Sequence, residues 1–193
     1  SGRVAVIVLR VHITRRFNKM KRSALFLVVL TVTATALFAQ PTWKMDKSHT
    51  AVRFRITHYV ISEVTGIFKE YDVTLKQTKQ DFSDAKLEAT IKSASIFTDN
   101  EKRDNHLKTA DFFDAEQYPE ITFKSTSFSK VDKNSYKIAG DLTIRGVTKP
   151  VVLDAVNKGE VQMRGRTIVV FTATTVVNRF DFGLKWDAKL DSG

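Results

Sequence analysis

Three histidines lie after residue 40 of this 193-residue chain, and carboxylates lie near two of them in the sequence. These candidate groups are His49, His58, His106, Asp46, Asp104 and Asp111. Imidazole and carboxylate are normal zinc ligands, so a metal site is the first chemistry to consider. The spacing does not favour one, because no H-x-x-x-H or H-E-x-x-H motif occurs and the histidines fall in different predicted elements. We therefore expect neither a metal nor a cofactor.

The same residues could belong to a lipid-modifying or metal-assisted hydrolase that uses His58, His106 and Asp104. No G-x-S-x-G nucleophile motif accompanies these residues. Cysteine is absent from the chain, which excludes disulfides, thiolate catalysis and cysteine metal sites. We therefore expect that the protein is not an enzyme, and we keep the hydrolase as the alternative to this expectation.

The elements that must position these residues are short strands of alternating polarity. Phe54, Ile56 and His58 share one face of a predicted strand whose other face carries arginine and threonine. The same period of two recurs over residues 86–92 and 136–145. Seven or so such strands, joined mostly by tight turns, predict an all-β, antiparallel barrel or sandwich. Periodicity alone does not separate these two architectures.

A polar helical insert around residues 99–114 interrupts the strands. Thr98 and Glu101 have the spacing of a capping box, which predicts a helix that begins here and ends near Leu107. A second short turn follows it, and Pro119 marks the return to a strand pattern.

Residues 20–39 have the composition of a secretory signal peptide. A charged start at Met20 precedes an apolar stretch over residues 24–36 that is short for a membrane span, and cleavage is predicted after Ala36 or Ala39. Residues 1–19 precede this leader, and we expect them to be upstream read-through that does not fold. A membrane anchor is the other interpretation of the apolar stretch, but we expect no stable membrane insertion after cleavage.

The net charge of the chain is concentrated in this leading segment. Seven of the 31 Lys and Arg residues and none of the 21 acidic residues precede residue 40, which leaves 24 basic against 21 acidic residues, a net charge of +3. No basic stripe remains in residues 40–193, so we do not expect a nucleic-acid partner. This part of the chain is predicted to form a single domain.

Fourteen Phe residues supply many bulky apolar side chains, several of them on the inward face of predicted strands. Small residues alternate with them at Ala89, Gly140 and Ala173. A barrel of about eight strands is either filled by its own side chains or just able to hold one small ligand. The sequence is compatible with both an ordinary core and an elongated apolar channel. His58 shares the inward parity, so it is either a core histidine or a contact to a ligand head group.

Five collinear motifs connect the chain to a known family. They are D-K-S-H-T-A-V-x-F-x-I-x-H (residues 46–58), V-T-G-x-F (64–68), R-D-x-H-L-K-x-x-x-F-F-D-x-x-x-Y-P-x-I-x-F-x-S (103–125), G-D-L-T-I-R-G-V-T-K-P-V (140–151) and N-R-x-D-F-G-L-x-W (178–186). Together they resemble the YceI-like family of lipocalin-like polyisoprenoid-binding proteins.

The resemblance implies a lipocalin-like barrel that binds, sequesters or transports a long apolar lipid in the periplasm, such as a polyisoprenoid or an isoprenoid quinone. Related proteins usually continue into one more strand after the position of residue 193, so a barrel that lacks its last strand is expected here. The resemblance leaves open whether the protein forms a homodimer. The predicted cavity residues are Phe54, Ile56, His58, Phe68, Phe112, Phe113, Phe123, Leu142, Ile144, Phe171, Phe182 and Trp186.

Overall fold

The computed structural model of the protein describes residues 4–16, 42–58 and 62–186. Eleven strands and one α-helix make up the regular structure of these residues. The strands are β1 (Val4–Arg16), β2 (Thr42–Met45), β3 (Ala51–His58), β4 (Ser62–Phe68), β5 (Tyr71–Lys76), β6 (Lys86–Lys92), β7 (Ile96–Phe97), β8 (Glu120–Lys130), β9 (Ser135–Ile144), β10 (Val147–Met163) and β11 (Arg166–Asn178). The helix α1 covers Glu101–Lys108, and short 3₁₀ turns cover Ser93–Ser95 and Arg179–Phe182.

The strands close into an antiparallel β-barrel, as predicted. The ring runs from β1 through β11, β10, β9, β8, β6, β5 and β2 back to β1, which is eight strands among the described residues. Strands β2 and β3 pair with successive parts of β1, so they act as one interrupted strand. Strands β4 and β5 follow them in the same way, and β7 pairs with the end of β4.

The alternation of each strand determines which side chains face the interior. In β9 the buried residues alternate with exposed ones, and β11 repeats the pattern along most of its length. Because successive side chains of a strand point to opposite faces, one residue in two enters the barrel. Two irregularities in register, in β8 between Ser125 and Ser127 and in β10 between Asn157 and Gly159, interrupt the ladders, as β-bulges do where a sheet curves.

Strand β1 was not predicted from the sequence. Residues 1–19 were expected not to fold, and the barrel was expected to lack its last strand. Residues 4–16 instead pair with β11 along their whole length and also with β3, and this closes the ring. The physical reason lies in their own alternation, because Ala5, Leu9, Val11 and Ile13 are all buried on the inward face.

The helical insert lies where the sequence placed it, but its cap is different. Asn100, not Thr98, is the N-cap residue, and its side chain accepts a hydrogen bond from the backbone N–H of Arg103 at 2.9 Å. The Thr98 hydroxyl instead donates to the buried Asp104 carboxylate at 2.6 Å, which ties the helix to β7. Within the described ranges, no helix is long and apolar enough to span a membrane.

Candidate functional site

The barrel encloses a cavity of about 1000 Å³ in the half that lies towards α1. Most of its walls are aliphatic or aromatic side chains from eight strands, from α1 and from the segments after α1 and after β11. The exposed members of the lining, Glu63, Asn100, Lys102 and Trp186, lie at the α1 end. The cavity therefore opens to solvent at that end. A volume of about 300–1,000 Å³ with apolar walls is typical of small-molecule sites.

Nine of the twelve predicted cavity residues line this space. They are Phe54, Ile56, Phe68, Phe112, Phe113, Phe123, Leu142, Ile144 and Trp186. The side chain of His58 lies outside the described part of the structure, so its predicted role stays a prediction. Phe171 and Phe182 are buried but do not line the cavity. Phe182 lies in the 3₁₀ turn that follows β11, where strand parity no longer applies.

Phe171 belongs to a cluster of rings that fills the other half of the barrel. We call this cluster the aromatic plug; its members are Trp43, Phe82, Phe128, Tyr136 and Phe171, all buried. Phe171 contacts Phe82, Phe128 and Tyr136 edge-on at centroid distances of 5.2, 6.1 and 5.8 Å. The Tyr136 hydroxyl donates to the backbone carbonyl of Asp81 at 3.1 Å, so its polar tip is satisfied. The barrel is thus closed at one end and hollow at the other.

Two glycines make room for the rings of the cavity wall. A Cβ at position 66 would meet Cζ and Cε1 of Phe54, the latter at 2.6 Å. A Cβ at position 140 would lie 2.5 Å from both the Phe123 ring and the backbone oxygen of Lys124. Because real Cβ contacts are almost never shorter than 3.0 Å, Gly66 and Gly140 let these rings lie flat against the wall and leave the centre open.

Charged and polar groups surround the mouth of the cavity. Arg103 donates from Nε and Nη2 to the hydroxyl and backbone oxygens of Thr98, both at 2.7 Å. Arg179 donates from Nη1 to the backbone oxygen of Leu184 at 2.7 Å and lies over the ring of Phe180. These bonds hold the Arg103 and Arg179 guanidinium groups in place beside the opening.

An aromatic cluster lies beside these cations. His106, Phe112 and Trp186 contact one another at centroid distances of 5.1 to 5.3 Å. The Nε2 atom of His106 lies 2.8 Å from the Asp111 carboxylate, which fixes the orientation of the imidazole ring. The cluster therefore forms one edge of the mouth. We call it the ring gate.

The residues considered for a hydrolase bond to separate partners. The Asp104 carboxylate accepts hydrogen bonds from the backbone and the hydroxyl of Thr98, whereas His106 bonds to Asp111. Asp104 therefore has a structural role at the start of α1. Nothing in these contacts pairs the Asp104 carboxylate with the His106 imidazole as a catalytic couple would require.

A second group of titratable residues lies where β1 meets the turn before β3. His49 bonds to the Asp46 carboxylate at 2.8 Å, and this hydrogen bond lowers the pKa of Asp46 below its ordinary value. The His49 ring stacks on His12 at 5.4 Å, and burial, with the charge of Arg10, lowers the pKa of the His12 imidazole. No group of three or more potential ligands that could hold a metal ion occurs in the described ranges.

Several lining residues were missed by the sequence analysis. Thr175 and Val177 follow Ala173 at the period of two and could have been found from that pattern. Leu9 lies in a segment that was expected not to fold. Lys102 was not singled out, because a charge on a helix is ordinarily a solvated surface group, and Arg179 was noted only as part of the N-R-x-D-F-G-L-x-W motif.

The comparisons with known proteins agree with this architecture. A UPF0312 protein of Staphylococcus aureus is 37% identical over 150 residues, which cover 77% of this chain and 85% of that protein. The crystal structure of a Campylobacter jejuni YceI protein is 39% identical, covers 66% of this chain and 75% of its own, and superposes with a TM-score of 0.60. The Burkholderia cenocepacia BcnA structure shares the fold at 18% identity, a TM-score of 0.56 and coverage of 67% and 98%. Residues 43–193 match the YceI-like domain, and the chain belongs to the YceI-like family.

Proposed function

We propose that this protein binds a long apolar lipid, such as a polyisoprenoid or an isoprenoid quinone, inside the barrel and sequesters or ferries it unchanged. The observation that carries the proposal is the hollow half of the barrel, about 1000 Å³ bounded mainly by apolar side chains. Each buried CH₂ group contributes about 0.8 kcal/mol, so ten sequestered carbons contribute on the order of 8 kcal/mol before ordering costs. Affinity should therefore depend on chain length.

A binding role fits the polar groups better than a catalytic one. The Asp104 carboxylate is engaged by Thr98, and the His106 imidazole is engaged by Asp111. A hydrolase that used His58, His106 and Asp104 would need these groups to converge on one reacting bond. The hydrolase alternative would gain support from turnover of a lipid ester that is lost when His106 is replaced.

The proposed location is the periplasm, reached through the signal peptide predicted over residues 20–39. Those residues lie outside the described part of the structure. Cleavage after Ala36 or Ala39 would separate β1 from the other strands, because β1 precedes both sites. The exported barrel would then lose the wall that β1 contributes, including Ala5, Ile7 and Leu9.

Intact-mass analysis of the protein from a periplasmic fraction tests the location. We expect a mature chain that starts at residue 37 or 40. Recovery of periplasmic protein that still carries residues 4–16, or retention of the whole chain in the cytoplasm, would contradict export by cleavage. Lipid binding should be measured on both the full chain and the processed form, because β1 forms part of the cavity wall.

Native mass spectrometry of protein purified without detergent tests the lipid-binding function. We expect a co-purified apolar molecule, or tight uptake of an added isoprenoid of about twenty carbons. Ala173→Leu narrows the cavity and should weaken uptake, whereas Thr172→Leu, its outward-facing neighbour on β11, should not. A folded protein that takes up no isoprenoid, quinone or alkyl lipid would overturn the proposal.

A further inference from the structure

The mouth of the cavity carries an excess of positive charge. Three cationic residues, Lys102, Arg103 and Arg179, belong to the lining, and we call them the cationic rim. Glu63 is the one acidic residue of that lining among the described residues. Its carboxylate faces the Arg55 guanidinium at 3.6 Å, so a cation outside the lining already offsets its charge.

Two carboxylates near the rim, those of Asp104 and Asp111, are committed to other partners. Asp104 accepts hydrogen bonds from Thr98, and Asp111 bonds to His106. In the part of the chain that the structure describes, no carboxylate lies within 4 Å of the side-chain nitrogens of Lys102 or Arg103. A positive field of this kind at a partly enclosed apolar opening attracts anions more strongly than the same charges on an open surface.

The hydrogen bonds of the rim hold it in position. Arg103 is anchored by Thr98, and Arg179 by the backbone oxygen of Leu184. Lys102 is exposed and reaches the opening on a flexible stem. Guanidinium groups fixed before binding lose little freedom when they meet a carboxylate or a phosphate.

The aromatic plug determines which end of a ligand meets this rim. A chain that enters the hollow half cannot pass Phe171 and its ring partners, so its tail lies towards the plug and its head group stays at the mouth. A neutral hydrocarbon would use only the apolar walls and would offer no counter-charge to Lys102 and Arg103.

We infer that the preferred ligand is a single-chain amphiphile whose anionic head group, a carboxylate or a phosphate monoester, lies at the cationic rim while its chain fills the cavity. This inference rests on the proposed lipid-binding function and names the ligand class more narrowly. The ring gate lies beside the same opening and shields the first carbons of the chain from water.

Ligand pairs of matched chain length test the inference. We would titrate the full chain with geranylgeraniol and geranylgeranyl phosphate, and with hexadecanol and hexadecanoate, and follow binding by isothermal calorimetry. The expected result is a preference of about tenfold or more for the anionic member of at least one pair, reduced by added salt. The two pairs distinguish a phosphate from a carboxylate as the favoured head group.

Two variants on α1 assign the preference to the rim. Lys102→Gln should reduce the preference by about two- to fivefold, the range expected for one exposed ion pair. Lys108→Gln makes the same change of charge on the same helix outside the cavity lining and should leave the preference unchanged. Lys102 is exposed and Lys108 is half-buried on the same short helix, and circular dichroism verifies that each variant folds.

The outcomes separate this inference from the function on which it rests. Equal affinity for anionic and neutral members of both pairs overturns the inference and leaves lipid binding intact. A preference that Lys102→Gln leaves unchanged, or that salt does not weaken, overturns the assignment to the rim. Failure of every member to bind overturns the lipid-binding function itself.

Discussion

Replacing Gly66 by Ala should reduce the room for ligand without unfolding the barrel. The added methyl would meet Cζ and Cε1 of Phe54, at 2.6 Å from Cε1, and Cγ2 of Thr98 at 2.8 Å. Ordinary contacts lie at 3.4–4 Å, so the Phe54 ring must retreat by about 1 Å. Since Phe54 lines the cavity, we expect the ring to move into the space that the lipid would use.

Two magnitudes follow from this displacement. Overpacking of this kind costs about 1–3 kcal/mol of folding free energy. Loss of room for one or two CH₂ groups, each worth about 0.8 kcal/mol, should weaken lipid binding about four- to fifteenfold. Denaturant unfolding gives the first quantity, and titration with a long-chain lipid gives the second.

Two further variants separate the effect on the cavity from the effect on the fold. Adding Phe54→Leu to Gly66→Ala should restore much of the affinity, because the smaller side chain removes the clash. Gly140→Ala should mainly cost stability, because its methyl would meet the immobile backbone oxygen of Lys124 at 2.5 Å as well as the Phe123 ring. If Gly66→Ala destabilised the fold but left lipid affinity unchanged, the reasoning about the cavity wall would be refuted.

Three other changes test the aromatic plug, the surface electrostatics and the choice between a binding protein and an enzyme. Phe171→Ala should lower the free energy of unfolding, measured with denaturant, by about 3–5 kcal/mol. Because the plug loses its central ring, the folded variant should bind lipids with longer chains than the wild type does. An unchanged limit on lipid chain length would argue against a closed end of the barrel. The Thr78 hydroxyl, by its hydrogen bond, lowers the pKa of Asp84 from 3.8 to about 2, so ionised Asp84 stabilises the fold above pH 4 and this contribution is lost as the pH falls towards 2. The melting temperature of Asp84→Asn should therefore fall below that of the wild type at pH 5 and approach it at pH 2, and a constant difference would contradict this linkage. His106→Ala should keep lipid affinity within about tenfold, whereas loss of a measured turnover by orders of magnitude would indicate an enzyme.

The sequence predicted the wall of the cavity better than its extent. Strand parity fixes the face on which a residue lies, and Phe54, Phe123 and Leu142 lie on the cavity side of their strands for that reason. Parity carries no information about height along the barrel axis. Phe171 and Ala173 share one face of β11, yet one belongs to the plug and the other lines the cavity. Only the packing of rings from distant strands decides where the filled half ends.

Two other features were not predicted, for different reasons. The alternating apolar residues of β1, such as Leu9 and Ile13, are visible in the sequence, but their position before the predicted signal peptide favoured upstream read-through. The rim at Lys102 and Arg179 depends on α1 and the turn after β11 meeting at the same end of the barrel. Such meetings between elements far apart in the chain are set by the tertiary fold.

The closed end of the barrel also restricts how a bound ligand is exchanged. With Phe171 and its neighbours blocking one end, a bound molecule has to depart through the opening by which it arrived. Under the proposed lipid-carrier function, a donor and an acceptor would therefore use the same docking face near α1 and could not be engaged together. Loading and release would alternate, and the slower of these two steps would set the rate of lipid transfer.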